Sequence, residues 1–157
     1  MIPACCAFHE AGHALVAESA GVSVQSVTVH EDGSGGNVLP GLFRDPDSAR
    51  WDARPLALAA GFGAELLYDP DPDRAWLHAE HDREILRQLG HTDAEIARWG
   101  QESADIISSQ RPAWKRLAHL LAGGGTFDGA TVRSALAGEP IDARHAMRAL
   151  EQRKATA

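Results

Sequence analysis

The spacing of apolar and polar positions changes several times along the chain, and each change marks an element. Ala4 to Ala20 is rich in alanine, leucine and glutamate with no proline, which predicts a helix, and Gly21 stands where a C-terminal cap belongs. Val22–His30 carries valines at 22, 24, 27 and 29; this β-branched content predicts a strand, with one slip in alternation at Gln25 and Ser26. Glu31–Gly36 (EDGSGG) reads as a turn. Asn37–Leu39 reads as a short returning strand before Pro40 and Gly41 break the pattern.

The rest of the chain has helical spacing. Pro46–Tyr68 is dense in alanine and leucine, and Gly61 and Gly63 inside it weaken a helix unless they permit a close helix contact. DPDPDR is a loop, with Asp73 as the expected N-cap of a helix over Arg74–Leu89 that ends at Gly90. Further helices are expected over Thr92–Ser109, Pro112–Leu121 (Pro112 forcing a bend or break) and Asp142–Lys154. The expected fold is therefore mainly α (α+β), with one small early β-sheet and a C-terminal helical bundle.

The 157 residues suit one domain, 1–157. Within it, 1–90 would hold the sheet and the candidate site, 91–140 the C-terminal helices, and 141–157 a terminal helix and tail. A net charge of −7 argues against a nucleic-acid partner and against a polybasic membrane-surface role. The two cysteines, Cys5 and Cys6, are adjacent and make a poor bridge to each other, which fits a reducing, cytoplasmic setting. No apolar stretch is long enough to cross a bilayer, and the first residues lack the regions of a signal peptide.

His9, Glu10 and His13 spell HEAGH within the first expected helix. Positions four apart stack on one helical face, so the two imidazoles can converge on one zinc ion. Glu10, beside the first ligand, is too offset to bind head-on but can reach a water at the metal and carry its proton. Gly12, inside the motif, lowers helix stability by about 1 kcal/mol against alanine and so calls for close packing. A catalytic zinc site wants three protein ligands and an open position. Asp82 is the best candidate for the third, because Ile85, Leu86 and Leu89 follow it along one apolar stripe, and a carboxylate turned inward needs a partner. His78, one turn earlier on the same face, is its rival, and Glu65 is a further alternative. His81 lies about 100° round the helix from the stripe.

HEAGHALVAESAG followed by VQSVTVHEDGSGGNVLPG resembles the peptidase domain of the FtsH family, the membrane-bound AAA+ zinc proteases. LALAAGFGAELLY is similar to that family's AG-x-x-AE-x-L helix and places Glu65 on its glutamate. EHDREIL stands at the helix bearing the family's aspartate ligand, matching Asp82. ADIISSQRPAWKRLAHLLAGGGTFDGATVRSAL resembles its closing helices. The likeness runs over roughly residues 7 to 138 in order, and HEAGH is its one motif specific by itself. The turn EDGSGG departs from the family's proline-arginine-glycine type, and only eight residues precede His9, where the family has its ATPase module.

The resemblance implies a zincin-like helical domain and peptide hydrolysis with Zn2+. It does not extend to ATP-driven unfolding, because no G-x-x-x-x-G-K occurs. An extended polypeptide substrate would lie along Gly36, Asn37, Val38 and Leu39 by strand addition. Without an unfoldase of its own the chain would cut flexible or unfolded substrates, or work with a separate unfoldase or as a homo-oligomer. The competing expectation is a metal-stabilised, catalytically silent binding or regulatory module. A fourth ligand such as His78 or Cys5 would favour it by closing the site. A third, weaker expectation is a helical interaction domain in which HEAGH is accidental. Gly33, Gly35 and Gly36 read as a hairpin turn and not a phosphate loop, and DPDPD as a solvated loop and not a calcium site. The four tryptophans read as anchors, and His119 and His145 as polar-face residues.

Overall fold

In the computed structural model, which describes residues 3–39, 53–69 and 71–141, the first helix runs through the interior. This helix, α1 (Ala4–Ser19), is buried at every residue from Glu10 to Ala17, the pattern of a helix enclosed on several sides. It packs against α2 (Arg54–Leu58), α3 (Ala60–Tyr68), α6 (Asp93–Ser109), α7 (Arg111–Leu121) and the strands β1 (Ser26–Val29) and β2 (Gly35–Val38). Small side chains permit this crowding. A Cβ on Gly12 would stand 2.6 Å from the Ala64 Cβ, so α1 and α3 meet closely where the HEAGH turn sits. Gly63 does the same for α3 against α6, where a Cβ would meet the Gly100 carbonyl at 2.7 Å.

α1 ends as its sequence predicts. Gly21 adopts φ +76°, Val22 N–H donates to Ala17 O at 2.9 Å and Gly21 N–H to Glu18 O at 3.0 Å, a Schellman closure. Val22 and Val24 are buried ahead of the ladder, and the strand itself begins only at Ser26, where the alternation slips. β1 and β2 form an antiparallel hairpin with Val29 opposite Gly35, turned through Gly33 at φ +85°.

The sheet has a strand that the sequence reading assigned to no strand. β3 (Gly125–Asp128) pairs antiparallel with the other side of β1, Ser26 opposite Asp128, giving the order β2-β1-β3. The Thr28 and Thr126 hydroxyls bond across this pairing at 2.9 Å. α8 (Gly129–Ala137) follows at once, capped by the Asp128 carboxylate, which accepts from Thr131 N–H.

Two expected helices are each broken in two. The segment read as Pro46–Tyr68 is described from Ala53 and divides at Ala59 into α2 and α3; Pro46–Asp52 lies outside the described residues. The segment read as Arg74–Leu89 divides at Ala79 into α4 (Pro72–His78) and α5 (Glu80–Gln88). The N-cap is Asp71 and not Asp73: its carboxylate accepts from Asp73 N–H and Arg74 N–H, and Pro72 then occupies the first turn, where no N–H is needed. α6 begins with a capping box between Thr92 and Glu95. α7 starts beyond the break at Gln110, with Pro112 in its first turn. The helix expected over Asp142–Lys154 lies outside the described residues. The architecture is mainly helical with a small three-stranded sheet, and no helix among the described residues is long and apolar enough to cross a membrane.

Candidate metal centre

α1 presents His9 and His13 one turn apart, with ring centroids 4.9 Å from each other. α3 supplies the floor beneath them. A Cβ on Gly61 would overlap the His9 ring and come within 2.5 Å of His13 Nε2, so glycine at this position lets the imidazoles lie against the α3 backbone. α5 brings Asp82 to the same point. Its Oδ2 lies 2.9 Å from His9 Nε2 and 3.1 Å from His13 Nε2, and the two Nε2 atoms are 3.2 Å apart.

The outer nitrogens fix which ring atoms face inward. His13 Nδ1 donates to the Ala57 carbonyl at 2.8 Å, and His9 Nδ1 faces Glu65 Oε1 at 3.3 Å. Both partners accept, so each Nδ1 carries hydrogen and each Nε2 is the ring atom turned toward Asp82. Two imidazole nitrogens and a carboxylate oxygen therefore converge, and either protons on the nitrogens or one cation in their place can hold them together. The triangle they form is close to equilateral, and a point just off its plane lies about 2 Å from all three corners, the bond length of a divalent ion to imidazole and carboxylate. His9, His13 and Asp82 thus form a group able to hold a metal ion.

Protons and a cation compete for the same inward-facing nitrogens. Burial pushes against a charged His9, yet hydrogen bonds to Asp82 and Glu65 outweigh it and raise the imidazole to about 10. His13 is raised in the same way, with burial opposed by Asp82. The Asp82 carboxyl is held far below the usual carboxylate range; burial opposes this, and the two histidines overcome it.

Glu10 is buried and stands outside this group. Asn37 Nδ2 donates to its Oε2 at 2.6 Å, and Gly35 leaves no room for a side chain beside its Oε1. A cavity of about 670 Å³ opens over the cluster, lined by Glu10, Asn37, Leu39, Leu58, His78 and Ile85 among others. Gly36 also lines it, and β2 stands at the edge of the sheet among the described residues, so Gly36, Asn37 and Leu39 border the cavity. Of the rivals for the third donor, neither joins the three. His78 is half exposed and turns Nδ1 to Glu65 Oε2 at 3.4 Å, while Glu65 faces the outer side of His9. Cys5 and Cys6 line the cavity without entering the group, and burial, reinforced by Cys5, pushes the Cys6 thiol up to about 12.

Sequence reasoning did not single out Gly61, Gly35 or the Ala57 carbonyl as site groups, and it read Asn37 only as part of an edge. The doubled glycines of AAGFGAE were the available signal for Gly61; a main-chain carbonyl offers none. Fold and site together define a mainly helical protein in which two histidines and one aspartate form a largely enclosed group able to hold a metal ion. No protein-family model and no curated protein matches the chain.

Proposed function

We propose that the chain is a zinc-dependent metallopeptidase domain of the FtsH-peptidase kind, hydrolysing peptide bonds in flexible or unfolded polypeptides without ATP of its own. The observation that carries this reading is the division of roles within one helical turn. His9 and His13 contribute Nε2 to the three-membered donor group, while Glu10, between them in sequence, lines the same cavity and stays out of the group. Zinc held by His9, His13 and Asp82 supplies Lewis acidity there, polarising a carbonyl and lowering the pKa of water toward about 7. Glu10 takes the proton of the attacking water and hands it to the leaving amine. The outer edge of β2 at Gly36–Leu39 offers main-chain groups to an extended substrate, while Leu39, Leu58 and Ile85 form an apolar wall beside the reacting bond.

Two histidines and a carboxylate also serve non-haem Fe(II). A carboxylate free to move protons, as Glu10 is placed to do, favours hydrolysis over oxygen chemistry. A fourth protein donor would favour the silent-module reading by closing the site, and among the described residues the group has three. A polypeptide substrate, a separate unfoldase or a homo-oligomer as partner, and a cytoplasmic setting belong to the same proposal. The test is metal analysis of the purified chain with cleavage of a quenched, unstructured peptide. One zinc per chain is expected, with Glu10→Gln keeping the zinc and losing about 10²- to 10⁴-fold in kcat. Cleavage by Glu10→Gln at the wild-type rate would overturn the reading.

A further inference from the structure

The Asn37 side chain is held through its amide nitrogen. Its Nδ2 donates to Glu10 Oε2 at 2.6 Å and lies 3.2 Å from the Glu10 main-chain carbonyl, so a single amide group spans the backbone and the carboxylate of the same residue. Both are acceptors, which assigns the NH2 and not the carbonyl oxygen to that side. The other end, Oδ1, is buried with no protein partner among the described residues.

We propose that Asn37 is the positioning residue of the Glu10 carboxylate, its amide holding Oε2 so that Oε1 is the oxygen presented for proton transfer. The two residues come from different elements, and each is fixed by its own. Glu10 is within α1, and Asn37 stands opposite Val27 in the β1–β2 ladder. Gly35, two residues back on the same strand, completes the seat: a Cβ there would come 2.8 Å from Oε1 and 2.9 Å from Glu10 Cγ. A neutral amide also suits the role chemically. It orients a carboxylate without neutralising it, as a lysine or arginine would, and leaves it able to accept a proton. The kinetic consequence rests on Glu10 acting as the proton carrier; the clamp itself does not.

The experiment compares the full-length wild type with Asn37→Asp, which keeps the shape and removes the N–H donors, and with Glu10→Gln and the double variant. Asn37→Asp should retain one zinc per chain and lose at least about tenfold in kcat near pH 8, with KM within about twofold. Its activity should recover as pH falls toward about 6, because the introduced carboxyl regains a proton and donates again, while wild type shows no such rise. Unchanged kcat, or a loss confined to KM or to metal content, would overturn the proposal. Unfolding in urea separates this from the peptidase reading. In the double variant donor and acceptor are exchanged, so it should be more stable than the sum of the single variants predicts, by about tenfold in the unfolding constant. Additive effects would remove the clamp even if wild type cleaves peptide. Coupling in a wild type that cleaves nothing would keep the clamp and sink the peptidase reading alone.

Discussion

Gly61 lies so close beneath the imidazole of His9 that a Cβ at this position would overlap the ring. The same Cβ would press on His13 Nε2, so one methyl group reaches two of the three converging donors. Gly61→Ala is expected to lower metal affinity at least about tenfold, through displaced rings, while costing about 1–3 kcal/mol of stability from overpacking. Competition with a chromophoric chelator, alongside a urea melt, measures both. Wild-type affinity in Gly61→Ala would mean that the rings move aside without consequence.

Asp82 and His78 were the rivals for the third donor, and they make opposite predictions. Asp82→Ala should reduce bound metal to a small fraction of the wild-type content after dialysis. His78→Ala, which removes a half-exposed ring whose partner is Glu65, should leave one ion per chain. Elemental analysis of the two variants side by side decides between them. Metal lost from His78→Ala and kept in Asp82→Ala would reverse the assignment.

Gly12→Ala sets two effects against each other. Helix propensity favours alanine by about 1 kcal/mol. Against it, the new Cβ would stand 2.6 Å from the Ala64 Cβ and 2.9 Å from the Ala60 carbonyl, and neither neighbour is the end of a flexible side chain. Overpacking of this kind costs about 1–3 kcal/mol, so a net loss is expected, seen as a lower urea midpoint at unchanged slope. A higher midpoint would show that α1 and α3 separate easily.

Cys6 should resist alkylation. Its thiol is raised to about 12 by burial and by Cys5, and a raised thiol pKa keeps the neutral form as pH climbs through the range where a free cysteine, near about 8.5, already ionises. Thiolate at Cys6 appears only as pH approaches the raised value. With iodoacetamide near pH 8, mass spectrometry should find Cys6 modified at least about 100-fold more slowly than free cysteine. Modification at the free-cysteine rate would place the thiol in water.

Several features were legible in the sequence because their causes are local. His9 and His13 share a face because they are four apart on a helix, and α1 ends where Gly21 can take a left-handed conformation. The β1–β2 hairpin follows from valines flanking a glycine turn. Asp82 was reachable because an acid in line with Ile85 and Leu86 must face something buried. The breaks at Ala59 and Ala79 were not legible, because alanine favours helix and its propensity gives no sign of an interruption. Nor was β3, a strand of four residues that begins on the last glycine of Gly123–Gly125 and is too short to show a period.

The sequence alone thus determined the mainly helical character, the turn that sets His9 and His13 on one face, and the narrow choice of carboxylate or imidazole to join them. These depend on spacing within one element and on the burial that its apolar stripe demands. Tertiary structure decided the rest. It selected Asp82 over His78, set Gly61 under the imidazoles, tied Asn37 to Glu10 and added β3 to the sheet. Each of these is a contact between elements far apart in the chain, and such contacts exist only once helices and strands have packed, because no local periodicity encodes which surfaces will meet.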